Sequence, residues 1–202
     1  RGETIKFRFT NNGAIPHEAI LVDASASMHT EDNFWKAVMA AYASAVSLES
    51  GRHNVAVYAH TADHSATSGI ASVTIYKLKG FNERCSNVKE RFLHFYNNGW
   101  HYMHNNDDEL AIEYVGKKFT KMINSKTLIV ISDGSPSCHR SPSLSSTKRV
   151  VDLLRNTGKK VVSISIDEDA VSSNNYIYGD SNNFSNTDPN VVTDVIRAIA
   201  HF

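Results

Sequence analysis

The chain has 202 residues, with 21 Lys and Arg set against 21 Asp and Glu, and 41% of its residues are hydrophobic. That length suits one domain around a single core, and the balanced charge argues against nucleic acid as a partner, which calls for a basic patch or stripe. No run approaches the roughly 20 apolar residues needed to span a bilayer, so a membrane is not an expected partner either.

In chain order, Ile5 to Phe9 alternates apolar and polar residues, as a half-exposed edge strand does, inside a lead-in that runs to residue 17. Ala19-Ile20-Leu21-Val22 is a continuous apolar run, the pattern of a central parallel strand covered on both faces. Asp32 to Ser50 reads as a helix capped by Asp32, with Phe34, Val38, Ala41 and Ala45 on one stripe and Gly51 after its end. Asn54 to Thr61 and Ser72 to Lys79 alternate as strands, and Val88 to Tyr96 is a short amphipathic helix stopped by Asn97-Asn98-Gly99. Trp35, Tyr42, Phe92 and Phe95, at helical spacings, are core residues.

Asp107 to Ile123 predicts a longer helix whose first acids complement the helix dipole. Thr127 to Ile131 is a second fully apolar strand, ending in Ser132-Asp133-Gly134. A helix over Thr147 to Asn156, a buried strand over Val161 to Ile166, a long polar loop over Ser172 to Asp188 and a closing helix over Pro189 to His201 follow. Helices between apolar strands predict an α/β fold: a doubly wound, mostly parallel central sheet with helices on both faces and one antiparallel edge strand, in one domain over residues 1–202.

The chemistry concentrates at two strand ends. Asp23-Ala24-Ser25-Ala26-Ser27 presents one carboxylate and two hydroxyls at alternate positions just past the first apolar strand, a set suited to a hard divalent cation such as Mg²⁺, Mn²⁺ or Ca²⁺. In an open α/β sheet ligands gather at the carboxyl ends of the strands, near the switch in strand order. Asp23 ends the first apolar strand and Asp133 the second, so both carboxylates are expected on one rim. Alone, Asp133-Gly134 reads as a turn.

Other motifs carry less. His101 and His104, and His60 and His64, are spaced as zinc pairs, but no Cys or Glu completes a helical zinc motif. Ser135 to His139 reads as a solvated loop rather than a nucleophile beside its base. No G-x-x-x-x-G-K-[ST] loop is present, so the chain is not itself a P-loop ATPase. Asn183-Phe184-Ser185 is a sequon of low information. Two distant cysteines, Cys85 and Cys138, are too few for a disulfide framework and point to a reducing, cytoplasmic setting. The chain begins at Arg1 without Met, which reads as an excised segment.

Ile20-Leu21-Val22-Asp23-Ala24-Ser25-Ala26-Ser27-Met28 resembles the D-x-S-x-S-M signature of von Willebrand factor A (VWA) domains, and Ile129 to Gly134 resembles that family's second strand-end aspartate. The resemblance implies a metal-ion-dependent adhesion site, with Ser25 and Ser27 as direct ligands and Asp23 and Asp133 bonding directly or through water. VWA domains usually add a Thr from the intervening loop. Thr61 and Thr67 come too early here, Thr120 falls inside a helix, and Asp107 is the candidate, with Asn105 as its substitute if the register shifts. Asn105-Asn106-Asp107-Asp108-Glu109-Leu110-Ala111 and the strand from Thr127 to Pro136 also resemble the VWA subunit of aerobic cobaltochelatase, with Asp108 where that subunit has Gly. That resemblance implies a non-catalytic subunit whose partner is an AAA+ ATPase, contacting the metal rim through an acidic residue. The alternatives are a surface adhesion module using the same site and a hydrolase that activates water on the metal.

Overall fold

The computed structural model describes residues 15–64, 71–119, 125–134, 136 and 143–185. The strand expected over Ile5 to Phe9, the closing helix over Pro189 to His201, Cys138 and most of the Ser135 to His139 motif lie outside these residues.

The described chain runs β1 (His17–Asp23), α1 (Asn33–Ser50), β2 (Asn54–His64), β3 (Ala71–Lys79), α2 (Cys85–Asn98), α3 (Asp108–Lys118), β4 (Lys126–Ser132), α4 (Ser143–Asn156), β5 (Lys160–Ser165), α5 (Asp169–Tyr178) and β6 (Asn183–Ser185). The strands form one sheet in the order β3-β2-β1-β4-β5-β6. Every pairing is parallel except β2 with β3, so β3 is the antiparallel edge strand. This is the doubly wound arrangement that the alternation of apolar strands and helices predicts.

Period-two side chains divide the core into two layers. Ile20 and Val22 of β1, with Ile129 and Ile131 of β4, pack against α1 and α2, whose Phe34, Val38, Ala41, Phe92 and Phe95 fill that side. Ala19 and Leu21, with Leu128 and Val130, face α3, α4 and α5 through Ile112, Val115, Val151 and Ile177. Both faces of β1 and β4 are therefore dry along their middles, which is why Ala19 to Val22 and Leu128 to Ile131 are apolar at every position. In α4 the buried Thr147, Val150, Val151 and Leu154 recur at helical spacing and set the face it presents.

Two expectations fail, each for a local reason. Asp32 does not cap α1: its backbone is left-handed (φ 62°), no side-chain cap bond forms, and a 3-10 turn over Ala26–Asp32 precedes the helix. Asn33 takes over the anchoring, donating from Nδ2 to Asp167 Oδ2 at 3.0 Å. The polar stretch from Ser172 is not a loop but most of α5, followed by β6. Its inward stripe contains Asn174, which is buried because Nδ2 donates to Ser165 Oγ at 3.0 Å, so an amide occupies a position where the helical period calls for an apolar residue. Asp167 Oδ1 accepts the Ala170 amide at 2.8 Å and starts the helix.

Leu21 is fully buried at the centre of the sheet. Leu21→Ala is expected to cost about 3 kcal/mol, read as a lower urea midpoint at unchanged slope.

Candidate metal centre

Register places the two aspartates. Val22 pairs with Ile131 and Asp23 with His60, so β1 and β4 end side by side and Asp133 is the first residue beyond β4. The chain leaves β1 towards β2 and β3, then returns to β1's other side as β4. Asp23 and Asp133 thus flank the point where strand order switches, where open α/β sheets gather ligands.

The loop after β1 is fixed by backbone bonds at both ends. Ala24 N–H donates to His60 O at 2.8 Å and Ala26 N–H to His104 O at 2.7 Å. Within it, Ser25 N–H donates to Asp23 Oδ1 at 2.8 Å, and the hydroxyls of Ser25 and Ser27 lie 3.0 Å apart. Asp23 is fully buried and Ser25 nearly so, whereas Ser27 is exposed. The oxygens therefore form a ladder from the sheet to solvent.

The loop before α3 is tied to the same end. Ala62 N–H donates to Asn105 O at 2.6 Å. Thr61 Oγ1 also donates to Asn105 O at 3.1 Å, and it accepts the His104 amide at 3.0 Å. Thr61, set aside on the sequence as too early, thus lies at this loop as its tether. Of the two third-loop candidates, Asn105 is exposed, and buried Asp107 uses Oδ1 to accept the Leu110 amide as the cap of α3 at 3.2 Å. The residues between and beyond them were missed. Asn106 is buried and donates from Nδ2 to Asp23 Oδ2 at 3.3 Å. Asp108 is buried with its carboxyl in the field of Asp23, Asp133 and Asp107. The signal available on the sequence was the pairing of Asn106 with Asp108, two polar residues two apart at the start of a helix.

Asp133 is held by the glycine that follows it. Gly134 has φ +73°, and a Cβ there would lie 2.8 Å from Ala170 O. Its amide donates to Ser132 Oγ at 3.3 Å, while Ser132 O accepts the Ile166 amide at 3.2 Å. The turn is locked against β5 and α5, and no residue with a side chain fits it.

Burial dominates the electrostatics of the rim, and like charge adds to it at Asp108. Burial pushes the Asp23 carboxyl up, opposed by hydrogen bonds from Ser25 and Asn106. Burial also raises the Asp108 carboxyl well above the ordinary aspartate range, reinforced by the charges of Asp23, Asp133 and Asp107. His60 is fully buried, and burial lowers it to about 4. Its Nε2 lies 3.5 Å from Asp108 Oδ1, and neither atom has a hydrogen-bond partner among the described residues. His60 is therefore a neutral ring behind the rim.

Carboxylate and hydroxyl oxygens are the ligands that hard divalent cations take. Asp23, Ser25 and Ser27, with Asp133 on the facing turn, supply such a set, and an added positive charge would relieve the repulsion that raises Asp108. The residues fit the group that the sequence implies. Among the described residues no three His, Cys, Asp or Glu side chains sit close enough to hold a metal ion by themselves.

The family profile of the von Willebrand factor type A domain matches residues 19–198. The chain belongs to this family. Solved structures with the same fold include the manganese-loaded TRAP protein of Plasmodium vivax, at 14% identity and TM-score 0.62 over 92% of this chain and 71% of that one. BatB from Bacteroides thetaiotaomicron matches at 13% identity and TM-score 0.62, over 93% of this chain and all of that one. The pilus adhesin SpaC from Lactobacillus rhamnosus GG matches at 10% identity and TM-score 0.62, and this chain spans only 30% of its length. At these identities the likeness is one of fold. None of the curated proteins compared matches the chain. No helix of the described VWA domain is long and apolar enough to cross a membrane.

Two outcomes test the rim. Gly134→Ala is expected to destabilise the fold by about 2 kcal/mol, measured by urea unfolding, because left-handed backbone and a clash with Ala170 combine. Asp108 keeps its proton to higher pH folded than unfolded, so its ionisation opposes folding. The effect is absent below about pH 4, where both states are protonated, and grows as pH rises above it. Asp108→Asn is expected to raise the metal-free thermal midpoint by an increment that grows from about pH 4 upward; a flat increment would remove the opposed ionisation of Asp108 from the account.

Proposed function

We propose that this VWA domain is a divalent-cation-dependent protein-interaction module with a metal-ion-dependent adhesion site. The observation that supports it is the ladder of Asp23, Ser25 and Ser27 rising to solvent beside Asp133. Asp23, Ser25, Ser27 and Asp133 hold Mg²⁺ or Mn²⁺, with one group from the third loop. When bound, the cation supplies a coordination position open to a carboxylate of the partner. Asp107 and Asn105 stay among the third-loop candidates, joined by Asn106 and Asp108; the Nδ2 contact places Asn106 beside Asp23 and orients that carboxylate.

The domain binds and does not catalyse in this reading. His60, the histidine paired with Asp23 across the strands, is buried and lowered to about 4, which keeps it from solvent as a proton acceptor. The partner is an AAA+ ATPase and the setting cytoplasmic, a reading supported by the likeness of Asn105 to Ala111 and Thr127 to Pro136 to the cobaltochelatase subunit. A second reading, adhesion to an external ligand through the same rim, is supported by the pilus adhesin among the proteins of similar fold.

Calorimetric titration of Mg²⁺ into the protein is expected to give one site, weakened about tenfold or more by Asp23→Ala. Asn106→Ala is expected to weaken it similarly, while Asp107→Ser, which keeps a helix cap, is expected to leave it nearly intact. Equal affinity in Asp23→Ala would remove the metal from the account. Co-purification of an AAA+ ATPase with the tagged protein in Mg²⁺, lost in EDTA, separates the first partner reading from the second.

A further inference from the structure

The opposite end of the sheet carries a second concentration of charge. His17 pairs with Asn54 where β1 and β2 begin. Asp23 lies six residues along β1, so this end is about 20 Å from the metal rim at 3.3 Å per residue. A cavity of about 820 Å³ opens there between the end of α1, the end of β3 and the start of α2.

Its acids are already committed. Glu83 accepts two guanidinium bonds from Arg91, at 3.0 and 3.1 Å, together with the Gly80 amide, and these bonds hold it down at about 2. Glu49 Oε2 accepts the Cys85 amide at 3.0 Å and lies 3.4 Å from the buried Lys79 Nζ. Lys79 also donates to Val55 O at 2.7 Å. Behind them His53 Nδ1 sits 2.8 Å from the fully buried Glu18.

Arg52 and Arg84 stand apart. Both line the cavity and are exposed, and neither guanidinium has a hydrogen-bond or ion-pair partner among the described residues. Their guanidinium charges are the uncompensated ones in the cavity.

Arg52 is also held where a glycine would be easier. The C-terminus of α1 closes with Gly51 N–H donating to Ser47 O at 3.1 Å and His53 N–H to Leu48 O at 3.0 Å. Such a turn calls for glycine at its left-handed position. The chain places Gly51 one residue early, at φ −77°, and gives the left-handed position to Arg52, at φ +66°. Retained strain of this kind is a pointer to use.

We propose that this cavity binds an acidic peptide segment of a protein partner. Carboxylates pair with the planar forks of Arg52 and Arg84, and an apolar side chain rests against Phe81, which lines the same cavity. A free anion would need neither the breadth of the cavity nor its aromatic wall. The site does not involve the metal, so the domain grips partners at both ends of its sheet.

The test is fluorescence anisotropy of a labelled Glu-Leu-Asp-Glu-Leu-Glu peptide with the full chain in EDTA, which silences the metal rim. Saturable binding that weakens with added salt is expected, with affinity lost about tenfold or more in the Arg52→Gln, Arg84→Gln double variant. Mg²⁺ titration of that variant is expected to match the parent, which separates failure here from failure at the rim. Arg52→Gly is expected to raise the thermal midpoint while lowering peptide affinity, the opposite movements that retained strain predicts. Absence of saturable binding, equal binding by the double variant, or displacement of the peptide by inorganic phosphate at equal concentration would overturn the proposal.

Discussion

Aspartates 23, 107, 108 and 133 share one end of the sheet, and holding carboxylates there out of water, with like charge added at Asp108, is the constraint around which the rest of the structure is arranged. Bringing ionised carboxylates out of water and together opposes folding unless hydrogen bonds or counter-charges offset it. The chain meets it piecemeal. Asp23 receives the Ser25 amide and the Asn106 side chain, and Asp107 is spread over the first turn of α3. At Asp108, Oδ1 has no hydrogen-bond partner among the described residues and lies 3.5 Å from the ring of His60, and the carboxyl is raised well above the ordinary aspartate range. A fold that needed only a core would not gather these groups at a strand switch point. The arrangement is the one that the proposed cation site calls for.

Position at the rim is fixed by packing farther away. The β1–β4 register is set by two apolar layers, and a one-residue slip would turn Asp23 and every core side chain of β1 to the wrong face. The Asp133 turn is pressed against α5 through Gly134, and α5 is held to β5 and β6 by amides as well as by apolar contacts. Asn183 completes that layer, its Oδ1 accepting from Ser163 and Ser165 at 2.7 and 2.9 Å while Nδ2 donates to Asn175 at 2.7 Å. The sequon at Asn183 is thus a structural amide with its oxygen and nitrogen already engaged.

Much of this was legible in the sequence because two-sided burial leaves a plain mark. Ala19 to Val22 and Leu128 to Ile131 are apolar throughout, so both central strands, and hence the expected shared rim of Asp23 and Asp133, follow from pattern alone. Legibility failed where polar side chains do the work of apolar ones or where one residue has two competing roles. Asn174 hid the period of α5. At the third loop, the spacing of an acid before a helix fits both a cap and a ligand; Asp107 took the cap, and the residues one step to either side, Asn106 and Asp108, turned towards Asp23. Spacing cannot separate these outcomes, because the backbone path through Asn105 is set by its bonds to Ala62 and Thr61, far away in sequence.

The charge crowding, the ladder of oxygens and the strand register converge on one claim, that a single hard cation completes this rim. The most direct measurement is anomalous diffraction from crystals of the protein grown with Mn²⁺. The account predicts one strong peak bounded by Asp23, Ser25, Ser27 and Asp133, with Asn106 or Asp108 closing the third side. A rim without a peak, or a peak among the histidines instead, would contradict it.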